Sequence, residues 1–237
     1  MHKYAPIEAL TGELSFTPPP IRRKVEMVRF WNRIVKMPEG RLPKVVFNLE
    51  YENKTSWCRD LKSIFEQTNF MHTFDNKVTV DPSDVKVKLL EIFESNFTNS
   101  LPLKPKLRNY ALLKFSFDTE PYALKYMNRN KRSIFAQLRM GILPLRVETG
   151  RFQNLDLVDR KCVYCISGQI EDENHFIFNC SHYNHLRTPF LNKCKDVDEN
   201  FENFDEIEKF RFVLNNEAMQ IHTANFAQEA FFHRKNT

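Results

Sequence analysis

Three cysteines and one histidine cluster in a short segment of the chain. Cys162 and Cys165 form a C-x2-C pair, and His175 and Cys180 follow it to complete the pattern C-x2-C-x9-H-x4-C. Thiolate sulfur and imidazole nitrogen are preferred ligands of tetrahedral Zn²⁺. Because four protein ligands fill the coordination shell, no water would remain to be activated. The spacing therefore predicts one structural Zn²⁺ rather than a catalytic one.

The choice of histidine stays open at this stage. The pattern C-x2-C-x14-C-x4-H, which ends at His185, would also supply four ligands, although knuckle spacing favours His175. A cluster of two core thiols beside surface histidines is the plainer alternative. The chain starts without the apolar segment of a signal peptide, which predicts an intracellular protein, nuclear or cytoplasmic and not secreted. In such a reducing compartment cysteines are ligands or core thiols, and we expect Cys58 and Cys194 to be the latter.

Patterns typical of catalysis are missing from the sequence. It contains no phosphate-binding glycine loop, no H-E-x-x-H and no H-x-E paired with P-C-x-x-C. The acidic pair Asp156 and Asp159 has no apolar surroundings that would perturb a carboxylate. No run of 18 apolar residues occurs, so no membrane span is expected. We therefore predict a chain that is no enzyme on its own and uses neither a membrane nor a small-molecule substrate.

Positive charge is concentrated in the middle of the chain. Residues 101–161 hold 13 basic and 5 acidic side chains, a net charge of +8, whereas the whole chain carries +5. A basic amphipathic helix is predicted over residues 129–140, and a local basic face is typical of anion binding. A solvated helix surface is the alternative. The residues predicted to bind nucleic acid are Arg129, Lys131, Arg132, Arg139, Arg146 and Arg151.

The fold class is predicted to be mostly α. Only five glycines occur in 237 residues, too few for the many tight turns of a sandwich or barrel. Helical periodicity marks residues 21–37, 42–51, 56–70, 82–99, 129–140, 204–214 and 217–232. Residues 147–157 lack that period and are expected to be extended, and a short hairpin is expected to carry the first two cysteines.

Four regions follow from this pattern and from a proline-containing linker at residues 101–105. They are a helical region (1–100), a basic helical connection (101–157), a CCHC zinc-knuckle-like module (158–190) and a segment ending in two acidic helices (191–237). The two terminal helices lie in a stretch, residues 196–237, whose net charge is −5.

Several motifs resemble one known family. The sequence Arg160-Lys161-Cys162-Val163-Tyr164-Cys165 and the stretch from Glu173 to Tyr183 resemble the C-terminal zinc-binding region of non-LTR (LINE-type) retrotransposon reverse transcriptases. Leu138-Arg139-Met140-Gly141 and Glu148-Thr149-Gly150-Arg151 also fit, and residues 1–47 are similar to the segment that follows the polymerase domain. The family's metal ligands fall on Cys162, Cys165, His175 and Cys180.

The resemblance implies a role in gripping template RNA or target DNA during target-primed reverse transcription, with the polymerase domain of the same polyprotein as a partner. The paired aspartates of a polymerase palm are absent, since no Asp-Asp dipeptide occurs. No endonuclease pattern is seen either. The chain is thus expected not to polymerise alone and looks like a C-terminal fragment. The competing hypothesis is a scaffold that docks on the polymerase domain or another protein.

Overall fold

The computed structural model describes residues 6–236, which form two compact units. The inserted unit comprises residues 16–97, and the finger unit comprises residues 6–15 together with 98–236. The predicted mostly-α class is confirmed. Within residues 6–236 there is no β-strand, and the β-structure is limited to one antiparallel bridge between Lys161 and Ile170.

Thirteen α-helices are described. They are α1 (Ile7–Leu14), α2 (Pro19–Val35), α3 (Leu42–Glu52), α4 (Ser56–Gln67), α5 (Met71–Asp75), α6 (Pro82–Ser100), α7 (Arg108–Leu113), α8 (Pro121–Leu124), α9 (Arg129–Arg139), α10 (Arg146–Thr149), α11 (Asn184–Val197), α12 (Glu206–Asn215) and α13 (Gln220–Lys235). Short 3-10 turns occupy Pro105–Leu107, Gly150–Gln153, Leu157–Asp159, Ser181–Tyr183 and Phe201–Asn203, and a π-helical turn occupies His175–Asn179.

The core of the inserted unit is built around one tryptophan of α2. Trp31 is fully buried, and its ring lies about 5.5 Å from the rings of Phe47, Phe65 and Phe74. Its indole N–H donates to the Val78 carbonyl at 2.9 Å, so the polar end of the side chain is satisfied as well. Aromatic side chains from α3, α4 and α5 therefore converge on α2. The apolar spacing of α2, α3 and α4 predicts their buried faces, whereas α5 was not predicted as a helix.

Helix α3 buries one face and exposes the other. Phe47 and most of Lys44 are buried, and the Lys44 ammonium donates to the Val35 carbonyl at 3.2 Å. The opposite face carries four exposed apolar side chains, which we call the α3 apolar stripe: Leu42, Val45, Val46 and Leu49. A row of apolar residues at positions i, i+3, i+4 and i+7 is typical of a helix face that is covered by a partner.

The finger unit has a larger core that joins the cysteine segment to the helices around it. Phe176, from the π-turn, packs against Phe226 and Phe231 of α13 and against Tyr183. Helix α13 also contacts α9, α11 and α12. The cysteine segment is therefore part of the core of this unit rather than a free-standing knuckle.

The structure divides the chain differently from the four predicted regions. Residues 6–15 belong with the finger unit, where the Glu120 amide donates to the Glu13 carbonyl at 2.9 Å and the Tyr110 hydroxyl to the Ala9 carbonyl at 3.4 Å. These contacts join residues that lie 101 or more positions apart, so local sequence patterns could not reveal them. The break at residues 97 and 98 lies near the predicted boundary at residue 100.

One local prediction is wrong, and one long helix was not predicted. Residues 147–157, expected to be extended, contain the end of α10 and the 3-10 turn Gly150–Gln153. Helix α11 was not predicted, because Pro189 lies inside it and proline lacks the amide N–H that continues a helix. The two predicted C-terminal helices are present as α12 and α13.

Among the helices of residues 6–236, none combines the length and the continuous apolar character that a membrane span requires.

Candidate metal centre and basic surface

A hairpin carries the first two cysteines, as predicted. The Cys162 amide donates to the Gln169 carbonyl at 2.8 Å, and the Glu171 amide donates to the Arg160 carbonyl at 3.0 Å. The loop that connects the two arms of the hairpin, residues 163–168, ends at Gly168. This residue has a φ of +68°, a left-handed conformation that glycine adopts at little cost. The hairpin thereby holds both thiols on one side of a tight loop.

The second pair of ligands comes from the π-turn. His175 and Cys180 are five positions apart, which in a regular α-helix would place them on different faces. The wider turn brings them together, and the Cys180 amide closes it by donating to the His175 carbonyl at 2.8 Å. The Asp172 carboxylate accepts from the His175 amide at 2.8 Å and fixes the start of this turn.

The four predicted ligands meet at one point. Their ligand atoms all lie within 4.8 Å of one another. The Sγ atoms of Cys162 and Cys180 are 3.7 Å apart, and Cys165 Sγ lies 3.4 Å from His175 Nε2. Tetrahedral Zn²⁺ with Zn–S bonds of about 2.3 Å requires a sulfur–sulfur separation of about 3.8 Å. The donor set is thus compatible with a zinc site, and His185 is not among the clustered ligands.

The imidazole of His175 is oriented by a hydrogen bond on its far side. Gln169 Oε1 lies 2.9 Å from His175 Nδ1, so Nδ1 carries the proton and Nε2 faces the three sulfurs. Burial lowers the pKa of His175, which favours the neutral ring that a metal requires.

The thiols lie in contrasting environments. Burial raises the pKa of Cys180 to about 12 and also raises the pKa of Cys162. For Cys165 burial acts in the same direction, but hydrogen bonds from the Ser167 side chain and backbone, together with the two other thiols, outweigh it and lower the pKa. Backbone hydrogen bonds from Tyr164 and His182 reach Cys162 and Cys180. Each of the three sulfurs therefore accepts a hydrogen bond from the backbone N–H two positions further along the chain, and such a bond favours the thiolate form.

Arg187 of α11 supports the π-turn from behind. Its buried guanidinium donates to the carbonyls of Ile177 at 2.8 Å, Cys180 at 2.6 Å and Phe176 at 3.3 Å. A turn that departs from α-geometry leaves carbonyls without helical partners, and a single arginine fork satisfies three of them here. Its positive charge also lies close to a site that would hold three thiolates.

A buried ion pair attaches the hairpin to the last helix. Glu171 is paired with Arg234 of α13 and also accepts from the Arg146 amide at 2.8 Å. The Arg234 guanidinium stacks on Tyr164 at 4.2 Å and donates to the Tyr183 hydroxyl at 2.8 Å. Neither arginine partner, Arg187 nor Arg234, was predicted. A single arginine in each of two helices gives no sequence signal for a role beside the cysteines.

Three of the predicted nucleic-acid-binding residues lie at the start of α9. Arg129 and Arg132 are exposed and Lys131 is half-buried. In the described part of the chain, no carboxylate lies within ion-pair distance of these three side chains. Arg132 donates to the carbonyls of Lys125 and Met127, both at 3.2 Å, which holds its guanidinium near the helix start.

Arg139 does not belong to this surface, so its predicted outward position is wrong. Its side chain is 0% exposed and lies between two carboxylates, 3.2 Å from Glu13 and 2.7 Å from Glu120. It also donates to the Leu214 carbonyl at 2.7 Å. A guanidinium with this many buried partners holds the unit together and is inaccessible to phosphate.

Arg146 and Arg151 lie beside the hairpin but both have partners. Arg146 is half-buried and donates to Gln153 at 3.0 Å, while Arg151 is exposed and pairs with Glu148 at 3.2 Å. Glu148 thus neutralises Arg151, whereas in the described part of the chain no carboxylate lies within ion-pair distance of Arg146, whose side-chain partner is the uncharged Gln153.

Comparison with known proteins finds no matching family model, no similar curated protein and no similar solved structure.

Proposed function

We propose that the chain is the zinc-stabilised, nucleic-acid-binding C-terminal part of a non-LTR retrotransposon reverse transcriptase. In this role it would grip template RNA or target DNA and would act beside the polymerase domain of the same polyprotein. The observation that carries the proposal is the convergence of Cys162, Cys165, His175 and Cys180 in a unit that also presents unpaired basic side chains.

The metal is proposed to be one structural Zn²⁺. The hairpin would supply Cys162 and Cys165, and the π-turn would supply His175 and Cys180. Four protein donors satisfy a tetrahedral ion completely, and the ion would supply cross-linking rather than chemistry. Two other side chains position the ligands. Gln169 orients the imidazole of His175, and Arg187 holds the π-turn that carries His175 and Cys180.

The charge arrangement at the start of α9 supports an anion as ligand. Arg129, Lys131 and Arg132 lie in the first turn, where the N-terminal end of the helix dipole already disfavours positive charge. No acidic residue occupies this turn, and Asn128 caps it by accepting from the Asn130 amide at 2.8 Å. The stability of the helix alone would favour acidic side chains in this turn. The three basic residues are therefore best explained by a phosphate backbone that binds there.

Salt dependence of binding tests this proposal. We expect the full chain to bind single-stranded RNA or duplex DNA with an affinity that falls as salt rises. The triple variant Arg129→Ala, Lys131→Ala, Arg132→Ala should flatten the slope of log K against log salt by about 2 to 3 units, since each lost phosphate contact removes about 0.7 to 0.9. Fluorescence anisotropy of labelled RNA and DNA over a salt series measures the slope.

A variant with the same change in net charge provides the control. Lys62, Lys88 and Lys193 each pair with a carboxylate three or four positions away. Replacing these three lysines with alanine should leave the slope almost unchanged. Equal slopes for wild type and the α9 variant, with zinc content intact, would remove this surface from the binding site.

A protein-docking role is the second candidate, and the α3 apolar stripe favours it. Leu42 is 75% exposed and Leu49 is 55% exposed on a helix whose other face packs into the core. Replacing both with serine should weaken association with a polymerase domain without altering the salt slope for nucleic acid. Pull-down with that domain and the anisotropy series together separate the two functions.

A further inference from the structure

Tyr126 is fully exposed in the short link between α8 and α9. In the part of the chain that the structure describes, its side chain makes no hydrogen bond and contacts no other ring. The next residue, Met127, is buried in the core of the finger unit. A single exposed aromatic residue is ordinary on a protein surface, so the surroundings of Tyr126 decide whether its position has a function.

The backbone around Tyr126 is held by three attachments. Arg132 Nη2 donates to the carbonyls of Lys125 and Met127, which lie on either side of it, both at 3.2 Å. The Lys125 ammonium donates to the Glu217 carbonyl at 3.1 Å and pairs with the carboxylate of the same residue at 2.9 Å. The Met127 side chain is the third attachment, because it packs into the core. The exposed ring therefore projects from a fixed backbone, and a tyrosine has only two side-chain torsions to immobilise on binding.

The exposed ring lies beside the basic start of α9. Because Arg132 donates to the carbonyls that flank Tyr126, its guanidinium lies against the backbone of that residue. These bonds use Nη2 alone, and Nη1 and Nε donate to no described residue, so both can bind an anion. Arg129 follows Tyr126 by three positions. An aromatic face and positive charges without a carboxylate partner among the described residues are thus presented together.

This combination fits an unpaired nucleobase together with its phosphate. Proteins that bind single strands use basic side chains along the backbone and aromatic rings on which bases stack. Such stacking accepts any base, because every base has a π-face. In a duplex the bases are already stacked on their neighbours, so a ring outside the double helix gains no such contact. The unpaired bases of a single strand, in contrast, are free to stack on an aromatic side chain.

We propose that Tyr126 is a stacking platform for an unpaired base, so that the site at the start of α9 takes a single-stranded segment of nucleic acid. Arg129, Lys131 and Arg132 contact the phosphates, and the Tyr126 ring contacts one base. This inference rests on the nucleic-acid function proposed above and adds the form of the ligand. Single-stranded RNA and DNA share the chemistry involved, because stacking uses the base and not the 2′-hydroxyl group.

Four labelled probes of equal length test the proposal on the full chain. They are a single-stranded RNA, a single-stranded DNA of the same sequence, that DNA strand with abasic sites in place of its bases, and the corresponding duplex DNA. We expect Tyr126→Ala to weaken binding of the two base-bearing single strands by about 5- to 150-fold, the effect of losing one stacked base. Binding of the abasic strand and of the duplex should be unchanged. The slope of log K against log salt should also be unchanged, because no phosphate contact is lost.

Two further variants serve as controls. Tyr126→Phe keeps the aromatic ring and should bind all four probes as the wild type does. Phe232→Ala removes another highly exposed aromatic side chain of the finger unit. Phe232 lies near the end of α13, roughly four turns of helix beyond Glu217, the residue that holds Lys125. Its loss should leave every affinity unaltered.

The outcomes separate this inference from the proposed function. An affinity of Tyr126→Ala equal to that of the wild type for both base-bearing strands, or an equal loss on the abasic strand, would overturn the stacking role. If the salt slope of the triple variant of Arg129, Lys131 and Arg132 is nevertheless flattened, the proposed function stands and only the role of Tyr126 fails. An unchanged slope in the triple variant would remove the basic surface, and the stacking proposal with it.

Discussion

Arg139 and Glu13 form an almost completely buried ion pair although 126 positions separate them in the sequence. Glu120 approaches the same guanidinium at 2.7 Å and is itself paired with Lys114 at 2.6 Å. The four charges form a buried network that attaches α1 to the rest of the finger unit. Burying charges is costly, so the network stabilises the fold only while every member has its partners.

We expect Arg139→Ala to destabilise the finger unit by about 3–5 kcal/mol, because the buried Glu13 carboxylate would lose the positive charge that it pairs with. Both tryptophans of the chain, Trp31 and Trp57, lie in the inserted unit, so their fluorescence reports that unit alone. Urea unfolding followed by far-UV circular dichroism should show an earlier helical transition in the variant, with the tryptophan transition unchanged.

Arg129→Ala is the control for this prediction. Arg129 lies on the same helix but is exposed and outside any ion pair within residues 6–236, so its loss should change stability by no more than about 0.5 kcal/mol. Equal stability of the two variants would show that the buried network contributes nothing to folding.

Removal of zinc should unfold the cysteine segment first. Structural zinc contributes roughly 10–16 kcal/mol in finger peptides at neutral pH. Chelation, or the substitution His175→Ala, should therefore raise amide hydrogen exchange across residues 158–186. His185→Ala should leave that segment protected, since His185 is not one of the clustered ligands. The opposite result for the two histidines would mean that the ligand set is wrong.

Gln169 should influence metal affinity without touching the metal. Partners that orient a metal-binding histidine typically contribute 10–100-fold in affinity. Gln169→Ala should weaken Zn²⁺ binding by about this factor, because His175 Nδ1 would lose its acceptor. Competition with a chromophoric chelator measures the affinity, and Gln153→Ala, which removes a contact to Arg146 instead, should have no effect.

The glycine at position 150 makes room for a neighbouring arginine. A Cβ atom at this position would lie 2.7 Å from Arg160 Cγ, too close for van der Waals contact. Arg160 donates to the carbonyls of Leu155 and Val147, and these bonds fix the start of the hairpin. Gly150→Ala should cost about 1–3 kcal/mol of stability through this clash.

Gly40→Ala serves for comparison, since a Cβ atom at position 40 would have no neighbour within 4 Å among the described residues and the change should be close to neutral. Thermal unfolding of both variants tests the pair. An unaltered melting temperature for Gly150→Ala would show that Arg160 moves aside without cost.

Sequence patterns predicted the group of four side chains that could hold a metal because chemistry and spacing are both local there. Cys162, Cys165, His175 and Cys180 lie within 19 residues, and one hairpin followed by one tight turn is enough to bring the four together. Helices α2, α3 and α4 of the inserted unit were predicted for the same reason, since the apolar periodicity of α2 and α4 already marks the buried face around Trp31. The five-residue helix α5 was not predicted, because so short a segment shows no helical period.

The role of Arg139 could not be predicted from its helix. Ten residues after Arg129, at 3.6 residues per turn, Arg139 is rotated by about 80° around the helix axis. That rotation turns its side chain toward Glu13 and Glu120, whose positions depend on distant parts of the chain. Periodicity describes one helix at a time, whereas the burial of this arginine is decided by a neighbour from the other end of the sequence.

The insertion of residues 16–97 has a consequence for synthesis on the ribosome. The partners of Glu13 and Ala9 follow 126 and 101 positions later, so α1 emerges long before the side chains that will hold it. At about 5–20 residues per second, Arg139 leaves the ribosome roughly 6–25 s after Glu13. The inserted unit has its own complete core and can fold during this interval. Helix α1 therefore cannot dock in the finger unit until α9 has left the ribosome.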